Sequence, residues 1–129
     1  MAFTILLVED DFDVREALAE TLREEGYTID CANDGLEALA HLKGGGRPGL
    51  ILLDLMMPRM SGSEFRMAQR QDPAFGHIPV VLLSADGRMR EKAVALGTAG
   101  AIRKPIDLAE LLRVLESFRA AAPDTSPVA

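Results

Sequence analysis

The residues best suited to chemistry in this chain stand directly after apolar runs. Glu9-Asp10-Asp11 follow Ile5-Leu6-Leu7-Val8, Asp54 follows Leu50-Ile51-Leu52-Leu53, Ser84 follows Val80-Val81-Leu82-Leu83, and Lys104 closes the short stretch Ala101-Ile102-Arg103. Carboxylates brought into one pocket cannot all stay ionised unless their pKa values rise or a cation joins them. A hard divalent ion meets that need, and Mg²⁺ accepts one or two carboxylates together with water and phosphate oxygens. Asp10 and Asp54 are therefore the expected direct ligands, with Glu9 assisting through water. A carboxylate can also act as a nucleophile toward a phosphoryl group. The Ser84 hydroxyl and the Lys104 ammonium would then neutralise the transferring oxygens.

The elements that must position these residues can be read from pattern. The runs at 5–8, 50–53 and 80–83 are continuous rather than alternating, as in parallel strands buried on both faces. Tyr27-Thr28-Ile29-Asp30-Cys31 is more mixed and the stretch at Ala101–Arg103 is short, which suits strands nearer the edges. Helices between them are announced by Asp13 with Glu16, Asp34 with Glu37, Ser61 with Glu64, and Asp107 with Glu110, each resembling a capping box or its Asp variant. The last helix carries an apolar stripe of Leu108, Leu111, Leu112, Leu115 and Phe118. Five βα units imply right-handed crossovers, helices on both faces of a parallel sheet, and the strand order 2-1-3-4-5. Ligands then bind at the carboxyl ends of strands one and three, where Glu9, Asp10 and Asp54 would meet.

With these residues in order, the sequence resembles the receiver domain of bacterial response regulators, a CheY-like, flavodoxin-like family. The matching pieces are Glu9-Asp10, Asp54 in Asp54-Leu55-Met56-Met57-Pro58 with Gly62 beyond, Ser84-Ala85, and Lys104-Pro105, within a span from about Ile5 to Phe118. The resemblance implies a three-layer (βα)5 sandwich and makes Asp54 the phosphoacceptor in a Mg²⁺-dependent reaction, in which Mn²⁺ can substitute. Asp10 and Asp54 become direct metal ligands, Glu9 an indirect one, and the Met56 backbone carbonyl a further ligand. Ser84 and Lys104 would hold phosphoryl oxygens, and the peptide before Pro105 would be cis. The implied donors are a histidine kinase or a histidine phosphotransfer protein, and the output is a downstream protein target. The chain's own chemistry would stop at self-directed phosphotransfer and slow hydrolysis, so it is not expected to be an enzyme in the ordinary sense.

Two departures bear on output. The fifth-strand position that is usually aromatic in receivers is Ala101, which has no rotamer to switch, and Ser84 stands where threonine is commoner. The fourth helix also lacks a capping box after Asp86-Gly87. Readout is accordingly expected in Ala85, Asp86, Met89 and the fourth helix, with Arg103 and the fifth helix completing an α4-β5-α5 docking face. Met56, Met57, Met60, Met67 and Met89 read as core filler or loop cover rather than a binding stripe, although Met89 near the fourth helix could be exposed for a partner.

Competing readings are weaker. Asp11-Phe12-Asp13 could serve as the paired aspartates of a haloacid-dehalogenase-like phosphatase, but Glu9-Asp10 intervene after the apolar run, and Asp11 and Asp13 read more simply as helix caps. A degenerate receiver used as a scaffold is disfavoured because every residue required for phosphorylation is present. His41 and His77 lack companions at metal-ligand spacing and read as solvated. Gly44-Gly45-Gly46-Arg47-Pro48 lacks the Gly-Lys-Ser/Thr ending of a phosphate loop and reads as a connector into strand three.

Length and charge bound the rest. The 129 residues fit one domain, assigned to 1–119 with a tail at 120–129. Twenty acids against 14 bases give a net charge of −6, which opposes direct nucleic-acid binding. The lone Cys31 excludes an internal disulfide, and neither a signal peptide nor a long apolar span is apparent. A cytoplasmic protein, away from the membrane and either monomeric or weakly dimeric, is the expectation.

Overall fold

A computed structural model describes residues 3–122. Its elements are β1 (Thr4–Val8), α1 (Phe12–Glu24), β2 (Thr28–Ala32), α2 (Gly35–Lys43), β3 (Leu50–Asp54), α3 (Gly62–Gln71), β4 (Val80–Ser84), α4 (Met89–Ala95), β5 (Gly100–Arg103) and α5 (Leu108–Ala121). All strand pairs are parallel, in the order β2-β1-β3-β4-β5. The fold is thus the flavodoxin-like sandwich that the alternation of strands and helices implies.

Side chains that alternate across the strands build two cores. Ile5, Leu7, Leu50, Leu52, Val81, Leu83 and Ile102 face α1 and α5, meeting Ala19, Leu22, Leu111 and Leu115. Leu6, Val8, Ile51, Leu53, Val80 and Leu82 face the other way, toward Ala38, Leu42 and Phe65 of α2 and α3. β3 and β4 are buried along their whole length, whereas β2 and β5 are partly open. Continuous apolar runs therefore mark the central strands, because both faces of each must be covered.

Several local expectations are corrected. Asp11, not Asp13, is the N-cap of α1, its carboxylate accepting from the Val14 N–H, while Asp13 lies in the first turn. Only Ser61 and Glu64 form the full reciprocal capping box; at α2, Glu37 Oε1 accepts from Asn33 N, one residue before the Asp34 cap. Met89 is buried, as the core reading of the methionines expects, whereas Met67 projects from α3 instead of filling the core. His77 is exposed, but His41 is half-buried, with Nε2 3.6 Å from Asp30 Oδ2. α5 runs through Ala121, so Ala120 and Ala121 are helical, and the remainder of the expected tail from residue 123 lies outside the described residues.

α4 is the weakly specified helix, as its sequence implies. Its N-cap, Arg88, makes no capping hydrogen bond through its side chain. The opposite end is held firmly by α3. Arg66, only 6% exposed, donates to the carbonyls of Leu96 and Gly97 and to Gln69 Oε1, and Arg70 adds a bond to Leu96 O. Gln69 completes the network by donating to Phe75 O and Ile78 O. No carboxylate takes part; the Arg66 charge rests on carbonyl dipoles at the helix C-terminus, where a cation is favoured. Burial, followed by the charge of Arg70, lowers the Arg66 pKa.

Candidate functional site

The carboxyl ends of β1, β3, β4 and β5 open into a cleft of about 470 Å³ lined by Glu9, Asp10, Asp54, Met56, Ser84 and Lys104, with Asp11, Val14, Ala85 and Asp86 completing its rim. Parallel register explains the convergence: Val8 pairs with Leu53, Asp54 with Leu83, and Ser84 with Arg103. The residue that leaves each strand therefore arrives at a common height. Backbone bonds extend this alignment beyond the strands, from Glu9 N to Ala32 O and from Lys104 N to Ser84 O.

Lys104 is the electrostatic centre. Its Nζ lies 2.7 Å from Glu9 Oε1 and 3.6 Å from Asp54 Oδ2. Glu9 and Asp54 are both buried, and oxygens of Glu9, Asp10 and Asp54 lie within 4.8 Å of one another. Glu9 Oε2 is buried without a hydrogen-bond partner among the described residues. Burial, reinforced by the adjacent Asp54 carboxylate and opposed by Lys104, pushes the Glu9 pKa up to about 7. Burial tends to lower the Lys104 pKa, but its bond to Glu9 and the two nearby carboxylates outweigh this and raise it. Three clustered carboxylates with one orphaned oxygen fit a hard divalent cation, since oxygen ligands of this kind suit Mg²⁺.

Surrounding bonds set the geometry. Met56 N donates to Asp54 Oδ1 at 3.2 Å, and Ser84 Oγ accepts from Asp86 N at 3.0 Å. The Asp86 carboxylate in turn accepts from Arg88 N and pairs with Lys92 Nζ at 2.5 Å, tying the loop after β4 to α4. The lysine bond and the Arg88 backbone bond both lower the Asp86 pKa against its small cost of burial. Lys104–Pro105 is a cis peptide. Ala101 is half-buried against the same core that Ala93 and Leu96 cover, while Ala85 and Arg103 are exposed. Asp11 is occupied in capping α1 and Asp13 is exposed in its first turn, so the Asp11/Asp13 pair makes no converging dyad.

Supporting residues that the sequence did not announce lie one layer out. Arg15 Nη1 donates to Glu9 O at 2.8 Å, fixing the turn from β1 into α1. Arg59, at φ 63°, pairs with buried Asp34, which links the loop after β3 to the start of α2. Burial tends to raise the Asp34 pKa, but the Glu37 backbone bond and Arg59 overcome it and leave the pKa lowered. Gly62 is needed for close approach: a Cβ there would stand 2.5 Å from Asp54 O and 2.8 Å from Leu55 Cα. An Arg two residues after Asp54-Leu55-Met56-Met57 carries no sequence signal of its target, whereas Gly62 was visible as part of the motif.

Residues 5–116 match the family described as response regulator receiver domain. The response regulator MprA of Mycobacterium sp. (strain KMS) is 36% identical over 130 residues, covering 98% of this chain and 55% of that protein. A probable transcriptional regulator, ycf29 of Pyropia yezoensis, is 34% identical over 92% of this chain and 54% of its own length. The chain thus spans about half the length of these curated relatives. Among solved structures, Vibrio cholerae chemotaxis protein CheY4 superposes with a TM-score of 0.83 at 30% identity, covering 92% of this chain and 99% of that one. The signal receiver domain of a Syntrophus aciditrophicus signal transduction histidine kinase gives a TM-score of 0.86 at 30% identity, covering 99% of this chain and 98% of that one. Sequence and fold point to one lineage: the chain belongs to the response regulator receiver domains of two-component signalling.

Proposed function

We propose that this domain accepts a phosphoryl group on Asp54 from a phosphohistidine donor, a histidine kinase or a histidine phosphotransfer protein, and relays the change to a downstream protein target. The observation that carries the reading is the placement of Lys104 against both Glu9 and Asp54, beside an unpartnered carboxylate oxygen. In the transfer, an Asp54 carboxylate oxygen bonds to phosphorus as the donor's N–P bond breaks, and the released imidazole takes a proton from solvent. Hydrolysis reverses the state: water attacks phosphorus, the Asp54 O–P bond breaks, and inorganic phosphate leaves.

Lys104 compensates charge on one phosphoryl oxygen, and the Ser84 hydroxyl donates to another once it turns from its role as acceptor for Asp86 N. Asp10, Asp54 and the Met56 carbonyl would hold Mg²⁺, or Mn²⁺ in its place, directly, with Glu9 assisting, and the ion would supply positive charge to offset that on the transferring oxygens. Exposed Phe12, Val14, Met56 and Leu108 supply apolar area near the cleft for the donor protein. The switch reaches the α4-β5-α5 face through Ala85, Asp86 and α4, with Ala101, Arg103 and Met89 within the segment that responds. No helix among the described residues is long and apolar enough to cross a membrane, and a cytoplasmic setting fits the proposed donors.

The test is incubation with acetyl phosphate, with Mg²⁺ and with chelator, on the wild type and Asp54→Ala, read by phosphate-affinity gel. Metal-dependent modification lost in Asp54→Ala is expected. Modification that persists in that variant would overturn the assignment.

A further inference from the structure

The loop at 55–61 leaves β3 at Asp54, carries Met56 along the cleft and ends at the N-cap of α3. It is held from the side of α2. Asp34, only 2% exposed, has both oxygens engaged: Oδ1 accepts from the Glu37 N–H at 2.9 Å, and Oδ2 accepts from Arg59 Nε at 2.6 Å and pairs with Arg59 Nη2. Arg59 makes this reach from φ 63°, a conformation that an L side chain seldom adopts unless its surroundings enforce it. Beside it the loop rides directly on the start of α2, since a Cβ at Gly35 would stand 2.7 Å from Met60 Cγ and 2.9 Å from Met60 O. The opposite wall of the cleft joins the same structure: Glu9 N donates to Ala32 O at 3.1 Å, two residues before Asp34. These contacts close a ring. It runs from Glu9 through the end of β2 to Asp34, crosses to Arg59, and returns along the loop through Met56 to Asp54. Arg59–Asp34 is the link in it that side chains alone make.

We propose that Arg59 is a positioning residue for the metal site: its ion pair with Asp34 pins the loop after β3 against α2 and so keeps Met56 and Asp54 at the spacing from Glu9 and Asp10 that a divalent cation requires. Without the pair, nothing enforces the left-handed conformation at Arg59, and its relaxation carries Met56, three residues earlier, with it. Arginine suits the task because its planar fork places two N–H donors on one carboxylate, where lysine offers a point charge. Groups that orient ligands without touching the ion commonly change metal affinity by about ten- to a hundred-fold. The proposal rests on the metal-dependent phosphoacceptor reading above and adds to it a residue outside the ligand set.

The probe is Mn²⁺, titrated into the chain and followed by the EPR signal of the free ion. Arg59→Gly removes the latch while keeping the turn, because glycine adopts φ 63° freely. Asp34→Asn removes the charge while keeping a good N-cap for α2. Each is expected to weaken Mn²⁺ binding about ten-fold, and the double variant no more than either alone, because both changes remove one link. Arg59→Lys should recover part of the loss. In metal-free samples, amide exchange at Met56, whose N–H is held by Asp54 Oδ1, should accelerate in Arg59→Gly. Urea unfolding in chelator reports folding separately. A lowered urea midpoint with Mn²⁺ affinity at the wild-type level would make the pair a fold contact alone and overturn the proposal. Unchanged exchange at Met56, or losses that multiply to about a hundred-fold in the double variant, would overturn it too. A wild-type chain that binds no Mn²⁺ would overturn the metal-dependent reading together with the proposal, a pattern distinct from the others.

Discussion

Lys104 Nζ stands 2.7 Å from Glu9 Oε1 and 3.6 Å from Asp54 Oδ2, so a single ammonium separates two buried carboxylates drawn from residues 95 and 50 positions earlier in the chain. That relationship makes Lys104 both a structural counter-ion and a positioned cation for a phosphoryl oxygen. Lys104→Met keeps most of the stem and removes the charge. Phosphorylation by acetyl phosphate is expected to slow by roughly 10²–10³, the range seen when one preorganised stabilising donor is lost. The rate constant, measured at saturating Mg²⁺, checks this.

Glu9 carries a pH signature. Its folded pKa of about 7 lies above the ordinary 4.5, so between those values the folded state holds more protons than the unfolded state. Metal-free stability therefore falls as pH rises from about 4.5 to 7, by up to roughly 3 kcal/mol if Glu9 alone responds. The raised Lys104 pKa adds stability that is lost only at pH values above 10.5, outside this window. Mg²⁺ at neutral pH should restore much of the loss, because a cation binding only the folded state stabilises it. Urea unfolding at several pH values, with chelator and with Mg²⁺, gives the comparison; a metal-free stability that rises over this range would contradict the burial of Glu9 as the dominant influence.

Gly62→Ala is expected to destabilise the fold by about 2–3 kcal/mol, because the added Cβ meets backbone at Asp54 and Leu55 rather than a flexible side chain. The same displacement moves Asp54, so phosphorylation should slow in parallel. Chemical unfolding and the acetyl phosphate assay, performed on one preparation, measure both effects.

Arg66→Met should cost about 2 kcal/mol, since it leaves the buried Gln69 side-chain oxygen without its donor and removes the bonds to Gly97 O and Leu96 O, the latter keeping only its bond from Arg70. Amide exchange should accelerate in α4 and in the turn after it before it changes in β1 or β3. Uniform acceleration across the sheet would show that the network serves the whole fold equally.

The central strands and the cleft were legible because one physical cause produced both signals. A strand covered on both faces must be apolar throughout, and the first polar residue after it marks the point where the chain reaches solvent at the sheet's carboxyl edge. Asp54, Ser84 and the Glu9-Asp10 pair were found in this way, and Lys104 by the same logic on a weaker strand. The Arg66–Gln69 network was invisible because charged and amide residues on a helix read as a solvated face. Their burial follows from where α4 ends, 30 residues later at Leu96. The choice of Asp11 over Asp13 as the α1 cap escaped for a related reason: the sequence offered Glu16 as a reciprocal partner, but the chain enters the helix two residues sooner.

The two ends of α4 are fastened by different forces. At Leu96 and Gly97 the fastening is an arginine seated on neutral carbonyls, with no acid to titrate. At Asp86 it is an ion pair with Lys92, open to solvent and hence to screening. Ionic strength therefore works on this helix asymmetrically: salt weakens the fastening beside the phosphoacceptor and spares the one at the far end.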